Sequence, residues 1–387
     1  MSLYSYSRDY RTNWHPTTTK SSSSSSRRRR RRHIGIRSSS RPSTSLLAAW
    51  AFSSFEWSAV FGLAARSLSS SSSSNFSSSG QRYLYVPAAD ADADDTTSTA
   101  KTHAADVPTR APPLLIIPGT AQSIELWEHH VPSLSQTRTV VICEPIGLGI
   151  PPPRFSDEGK FTAVDVSIPR QAEIMHRTLE EIMENHGNDN DDGDDDDSSL
   201  WDVAGFSLGG RIAMAMACLE PTKIHRLHLT GVARERSSWG TLQIMAWKDL
   251  LQHGSDLRPF AWSALLASYS PEFLMQQKDK LPQWIEGVCQ RHTLEGLRRL
   301  VHDTHSDNDE SDPWSVAAMA EEIRPLGIMG HLCVGRSDRL APVHEVKALA
   351  DVLRWPEPTI IERAAHVPPI ENPRVWRRDL QEFLNAE

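Results

Sequence analysis

The sequence predicts an α/β fold: a mostly parallel central sheet with helices on both faces, interrupted by an inserted helical cap. Three observations carry this. From Pro112 onward, short continuous apolar runs, as in strands buried on both faces, alternate with segments of helical spacing. Residues 202–210 read as strand, tight turn and helix, with Gly205 and Gly209 bracketing Ser207. Residues 233–323 break the alternation with a Trp-rich helical stretch that contains no strand run.

Taken in order, residues 1–81 are dominated by Ser and Arg, including the hexa-arginine run Arg27 to Arg32, and such a composition buries no core. With almost no acids, the segment is expected to be disordered and to act as an organellar transit peptide, directing the chain to the mitochondrion or alternatively a plastid. A disordered tail or a nuclear signal using the Arg run are the competing readings. Its apolar stretch over residues 46–65 also fits a signal-peptide core or a weak membrane span, but Glu56 and several serines argue against a span.

Residues 82–111 are expected to be a linker, with Tyr83 to Val86 a possible first strand. The folded body is expected to start near Pro112, its first part covering 112–232. Leu114-Leu115-Ile116-Ile117 is a strand ended by Pro118-Gly119, a helix follows over 124–134, and Thr139 to Cys143 repeats the strand signal. Met175, Leu179, Ile182 and Met183 have helical spacing within 168–185. The aspartate-rich run 188–199 lacks the ligand order and closing glutamate of a calcium loop, so it reads as a solvated insertion. After the central strand come an apolar helix over 210–218 and a strand over 224–232. The cap is expected over 233–323, and the sheet resumes over 324–387 with strands at 326–334 and 359–361 and helices at 343–353 and 373–384.

Composition narrows the function classes. The chain has 387 residues and is 39% hydrophobic, enough for one large α/β domain with an insertion or for two domains. Residues 1–82 carry 13 Lys or Arg against Asp9 and Glu56, a balance of +11 that leaves −19 of the total −8 for the rest. An acidic body is a poor nucleic-acid binder. Cys143, Cys218, Cys289 and Cys333 are far apart and without C-x-x-C spacing, which points to free thiols rather than zinc ligands or a disulfide framework. His129 and His130 read as a helix face rather than a metal pair. No metal and no organic cofactor is expected.

G-x-S-x-G at 205–209 has a mechanical reason. A serine on so sharp a turn adopts a strained backbone, only glycine neighbours permit the close approach, and the helix N-terminus favours developing negative charge. A serine hydroxyl needs a base within hydrogen-bond reach, and the base needs an acid to orient it. Asp338 follows the strand ending at Val334, and His366 follows the last strand, so both stand at strand C-terminal ends where open parallel sheets hold their sites. A loop acid paired with Arg336 or Arg339 is the plain alternative for Asp338.

Through Gly205-Phe206-Ser207-Leu208-Gly209, Gly335-x-x-Asp338-x-x-x-Pro342, and Ala365-His366-Val367-Pro368 leading to Glu371-Asn372-Pro373, residues 112–386 resemble the α/β-hydrolase superfamily. The resemblance implies the α/β-hydrolase fold, with Ser207 as nucleophile, His366 as general base then acid, and Asp338 as its orienting carboxylate. It also implies an oxyanion hole made by the N–H groups of Leu208 and Thr120. Pro118 replaces the histidine of the family's His-Gly-x loop, which bears on how that loop packs, while the Thr120 N–H survives. The function implied is hydrolysis of a small-molecule carboxylic ester or thioester through an acyl-serine, under a helical lid like that of the superfamily's carboxylesterases and thioesterases.

Residues 207–214 are also similar to the menaquinone-pathway synthases of this fold. In these an arginine four residues after the serine binds a carboxylated substrate, which makes Arg211 and Phe206 candidate substrate contacts. Phe206 stands where those synthases have tyrosine, and Arg211 fits equally a helix arginine paired to a nearby group. A lyase abstracting a proton with the same three residues, and a non-catalytic binding protein on the same scaffold, are the alternative functions.

Overall fold

The computed structural model describes residues 74–89, 111–149, 165–186, 200–305 and 311–386. Of the expected disordered transit segment, 1–81, residues 1–73 lie outside the described residues, but residues 74–81 are described and carry a strand at Asn75–Phe76, paired into the sheet by backbone hydrogen bonds that its Ser-rich composition does not reveal. Residues 90–110 of the expected linker, 82–111, and the aspartate-rich run 188–199 also lie outside the described residues.

Among the described residues, eight strands form one sheet: β1 (Asn75–Phe76), β2 (Arg82–Val86), β3 (Leu114–Ile117), β4 (Val140–Cys143), β5 (Trp201–Phe206), β6 (Ile224–Thr230), β7 (Met329–Gly335) and β8 (Thr359–Ile361). Their spatial order is β1-β2-β4-β3-β5-β6-β7-β8, and all neighbours from β4 to β8 are parallel. The helices are α1 (Ile124–Trp127), α2 (Val131–Leu134), α3 (Ile168–His186), α4 (Leu208–Leu219), α5 (Ser238–His253), α6 (Arg258–Ser268), α7 (Pro271–Gln276), α8 (Leu281–Arg291), α9 (Leu294–Thr304), α10 (Val316–Ile323), α11 (Val343–Leu353), α12 (Pro368–Glu371) and α13 (Pro373–Leu384). This is the α/β-hydrolase fold that the motifs implied.

The continuous apolar runs are explained by burial on both faces. In β3 every residue is fully buried. Leu114 and Ile116, with Val140 and Ile142 of β4, pack on one side against Trp127 of α1 and Trp376 of α13. Leu115, Ile117, Val141 and Cys143 pack on the other side against α3 and α4. Alternate side chains therefore fill two separate cores.

Two expected boundaries differ. The sheet begins before Pro112: β2 runs antiparallel to β4, with Tyr83 opposite Cys143 and Val86 opposite Val140, and β1 pairs with β2. What anchors this strand is polar and long-range, which short apolar runs do not reveal. Arg82 bonds Glu125 at 2.5 Å and Glu144 at 3.0 Å, and Gln81 Nε2 donates to the Glu144 carbonyl at 3.1 Å. Glu144 also accepts the Ile124 N–H at 2.8 Å, starting α1, and burial pushes its carboxyl up to about 7. At the other boundary, α10 packs on α4 and α11 of the sheet's own layer, through Met319, Ala320 and Ile323, so the helices between β6 and β7 that stand apart from that layer are α5 to α9.

At the strand ends opposite the site, Arg138 meets Asp202 at 2.5 Å, and His225 meets the other carboxylate oxygen at 2.8 Å. Burial pushes the Asp202 carboxyl up and the Arg138 guanidinium down, so desolvation outweighs the attraction for each. The pair adds little net stability, but half of it is costly to leave behind. Asp202→Ala is expected to lower unfolding free energy by about 3–5 kcal/mol in urea denaturation, and Arg138→Met combined with Asp202→Leu to recover most of that loss.

Candidate active site

β5 ends at Phe206, and the chain turns into α4 through Ser207, which sits at φ 51° and ψ −112°. A non-glycine residue there is strained by about 1–3 kcal/mol. The surroundings hold it: the Ser207 N–H donates to the Thr230 carbonyl at 2.9 Å, and its own carbonyl accepts the N–H groups of Gly210 and Arg211. Both bracketing glycines are required by contact. A Cβ on Gly205 would stand 2.5 Å from the Gly210 Cα, and one on Gly209 would stand 2.0 Å from the Ile117 carbonyl oxygen.

Asp338 lies in the loop after β7, which is stitched to the loop after β8 by Arg336 N–H to the Ile361 carbonyl and Ser337 N–H to the Ala364 carbonyl, at 2.9 and 3.0 Å. One Asp338 oxygen accepts the N–H groups of Leu340 and Ala341, each at 2.9 Å, and the other lies 2.8 Å from His366 Nδ1. Because that carboxylate accepts, Nδ1 carries the proton and Nε2 presents its lone pair. Nε2 lies 3.0 Å from Ser207 Oγ. The alternative partners for Asp338 are engaged elsewhere: Arg336 pairs with Glu362 at 2.7 Å, and Arg339 lies over the Trp239 ring.

Ser207, Thr120, Leu208, Phe206, Arg211 and His366 all line one cavity of about 1220 Å³. Leu208 is the first residue of α4, where N–H groups have no intrahelical acceptor. Phe206 is buried, its ring 5.3 Å from that of His366 and 5.9 Å from Trp127. Arg211 reaches across the cavity wall to donate to the Thr304 carbonyl at the end of α9. Burial, with Arg236 nearby, pulls its pKa down to about 10, against the opposing charge of Asp312. Trp247 and Trp284 line the cavity, whereas Trp239 is exposed outside it.

Two residues that sequence reasoning left without a role shape this site. Gln122 Oε1 accepts the Gly119 N–H at 3.1 Å and the Trp127 indole N–H at 3.2 Å, so it organises the loop in which Pro118 stands. Glu371 accepts the Ala365 N–H at 2.7 Å and the Ser270 N–H at 2.9 Å, tying the His366 loop to the start of α7. The His366 N–H donates to the Ser268 carbonyl, a second tie to the inserted helices. Of the two, Glu371 stands within a sequence motif, Glu371-Asn372-Pro373, that carries the family resemblance.

A model of the alpha/beta hydrolase family matches residues 114–378. The chain belongs to the alpha/beta hydrolase family. Among its relatives in that family is pyrrolizixenacetamide deacetylase of Xenorhabdus hominickii, 27% identical over 281 residues that span 72% of this chain and 92% of the relative. Similar solved structures include an alpha/beta hydrolase enzyme from a Medee basin deep-sea metagenome library, with TM-score 0.58 and 16% identity over 79% of this chain and 95% of that one. The enol-lactonase of Burkholderia xenovorans LB400 aligns with TM-score 0.56 and 14% identity over 79% of this chain and 98% of its own. At such identity the structural matches bear on the fold.

The strain at the turn is measurable. Ser207→Gly is expected to raise unfolding free energy by about 1 kcal/mol, because glycine adopts this backbone freely. Gly209→Ala, whose methyl overlaps the Ile117 carbonyl, is expected to lower it by about 3 kcal/mol in the same urea titration.

Proposed function

We propose that this alpha/beta hydrolase is a serine hydrolase that cleaves a carboxylic ester or thioester through an acyl-serine intermediate. The observation that carries the reading is the continuous relay from Ser207 Oγ through His366 to Asp338, at 3.0 and 2.8 Å, opening on the cavity. His366 Nε2 takes the hydroxyl proton as Oγ attacks the carbonyl carbon, and the resulting oxyanion is held by the N–H groups of Leu208 and Thr120. Collapse expels the alcohol or thiol, which leaves with the proton from Nε2. Water then gives a proton to Nε2 as it attacks the acyl carbon, and on collapse the bond to Ser207 Oγ breaks, Nε2 returns the proton to Oγ, and the carboxylic acid is released. Asp338 holds the imidazole in the tautomer this needs, its second oxygen being occupied by backbone donors.

The cavity volume exceeds the ~300–1,000 Å³ of ordinary small-molecule sites. Trp247, Leu265, Trp284 and Val288 contribute apolar wall from the inserted helices. These helices act as a cap that shields the acyl-enzyme from bulk water, and they favour a substrate larger than a simple acetyl ester. An amide substrate is a second reading, favoured by the relative whose name is that of a deacetylase of an acetamide. The same acyl-serine would form, with an amine leaving. For Arg211, the bond to the Thr304 carbonyl supports a structural tie between α4 and α9 over a carboxylate contact.

A fluorophosphonate probe is expected to label the wild type and to leave Ser207→Ala unlabelled. On a panel of acyl esters, thioesters and anilides, Ser207→Ala is expected to lose about 10⁴-fold or more in kcat/KM, and Asp338→Asn about 10⁴-fold in kcat. Equal labelling of wild type and Ser207→Ala would overturn the assignment.

A further inference from the structure

A second cluster of reactive side chains lies under the sheet, away from the cavity. His228 on β6 and His331 on β7 are register partners, and both face Asp379 on α13. His228 Nε2 lies 3.1 Å from one Asp379 oxygen, and His331 Nε2 lies 3.1 Å from the other. We propose that His228, His331 and Asp379 form a binding site for one divalent transition-metal ion of the zinc class.

The donor set is of the right chemistry, two imidazole nitrogens and a carboxylate oxygen, and the three ligand atoms lie within 4.8 Å of one another. Around a tetrahedral ion with bonds of about 2.0–2.1 Å, ligand atoms sit about 3.3 Å apart. Each imidazole already lies 3.1 Å from one of the two Asp379 oxygens, and ligand atoms that are within 4.8 Å of one another need closure of up to about 1.5 Å to meet on one ion. The ring planes are held by aromatic neighbours: His331 stacks on Phe383 at 5.5 Å and 27°, and His228 meets Trp376 edge-on at 6.1 Å and 87°. The His228 side chain is 1% exposed, but His331 and Asp379 are 15% and 11% exposed, which leaves one side open for the ion and a water as fourth ligand.

Without metal, each imidazole donates its Nε2–H to Asp379. Binding replaces these two hydrogen bonds with coordinate bonds: the Nε2 protons pass to Nδ1 or to solvent, and the freed lone pairs go to the ion. Thr359 Oγ1, 3.1 Å from His331 Nε2, and the Cys333 thiol, hydrogen-bonded to Asp379, surround the set without being required as ligands. An ion here would join β6, β7 and α13. That lies beside Thr230, whose carbonyl holds the Ser207 N–H and whose hydroxyl accepts the Trp376 indole N–H. The role inferred is a clip that stiffens the floor of the strand-helix turn.

The test is a Zn²⁺ titration of the EDTA-stripped full chain, followed by calorimetry and thermal unfolding, with Co²⁺ as a spectroscopic stand-in. One saturating equivalent is expected, with a Tm rise of about 5 °C at 100-fold excess over Kd. His331→Gln and Asp379→Asn are each expected to abolish that equivalent and the Tm rise, with far-UV circular dichroism verifying that both variants are folded. A wild type that shows no saturating equivalent would overturn the proposal. So would folded variants that bind as the wild type does, which would place the ion elsewhere. If one variant fails to fold, the wild type and the other variant decide.

Discussion

The centre of the molecule depends on one close approach, that of the first turn of α4 to the ends of β3 and β5. The Gly209 Cα lies against the carbonyl of Ile117, and Gly205 lies against Gly210, in spaces where any Cβ would collide with backbone. That approach forces Ser207 into a strained turn and aims its hydroxyl away from the sheet. The strain of one residue is outweighed by the two cores on either face of the sheet. The β7 and β8 loops then have only to bring Asp338 and His366 to the same end of the sheet. They do so through backbone hydrogen bonds to each other and to the end of α6, and through the Glu371 carboxylate that bridges Ala365 to Ser270 before α7, not through contacts of the reactive groups alone.

The inserted helices are therefore part of the site and not only its roof. The His366 N–H bonds to Ser268, Glu371 bridges Ala365 to Ser270, and Arg211 of α4 bonds the last carbonyl of α9. A displacement of these helices would be felt at both the His366 imidazole and α4, the helix that follows Ser207.

Much of this was legible in the sequence because it is local. Continuous apolar runs marked the inner strands, since residues buried on both faces leave no alternation, and G-x-S-x-G marked the turn because backbone contact tolerates no side chain there. Asp338 and His366 were found by asking what stands at later strand ends. What escaped was carried by polar residues that meet only after folding. Arg82 and Gln81 draw β2 onto the sheet, Gln122 builds the loop around Pro118, and His228, His331 and Asp379 converge from two strands and a helix that are distant in sequence. None of these has a periodicity or a neighbour in sequence that announces it. The expected insertion 233–323 takes in α10 because α10 is apolar and helical like the segment before it, while its packing on α4 and α11 is visible only after folding.

The most direct test is the covalent intermediate itself. Rapid acid quench of the enzyme during turnover of a chromogenic acyl ester, followed by peptide mass spectrometry, is predicted to find the acyl group on the peptide carrying Ser207, transiently in the wild type. Turnover without any acyl-enzyme, or an acyl group carried elsewhere, would contradict the account.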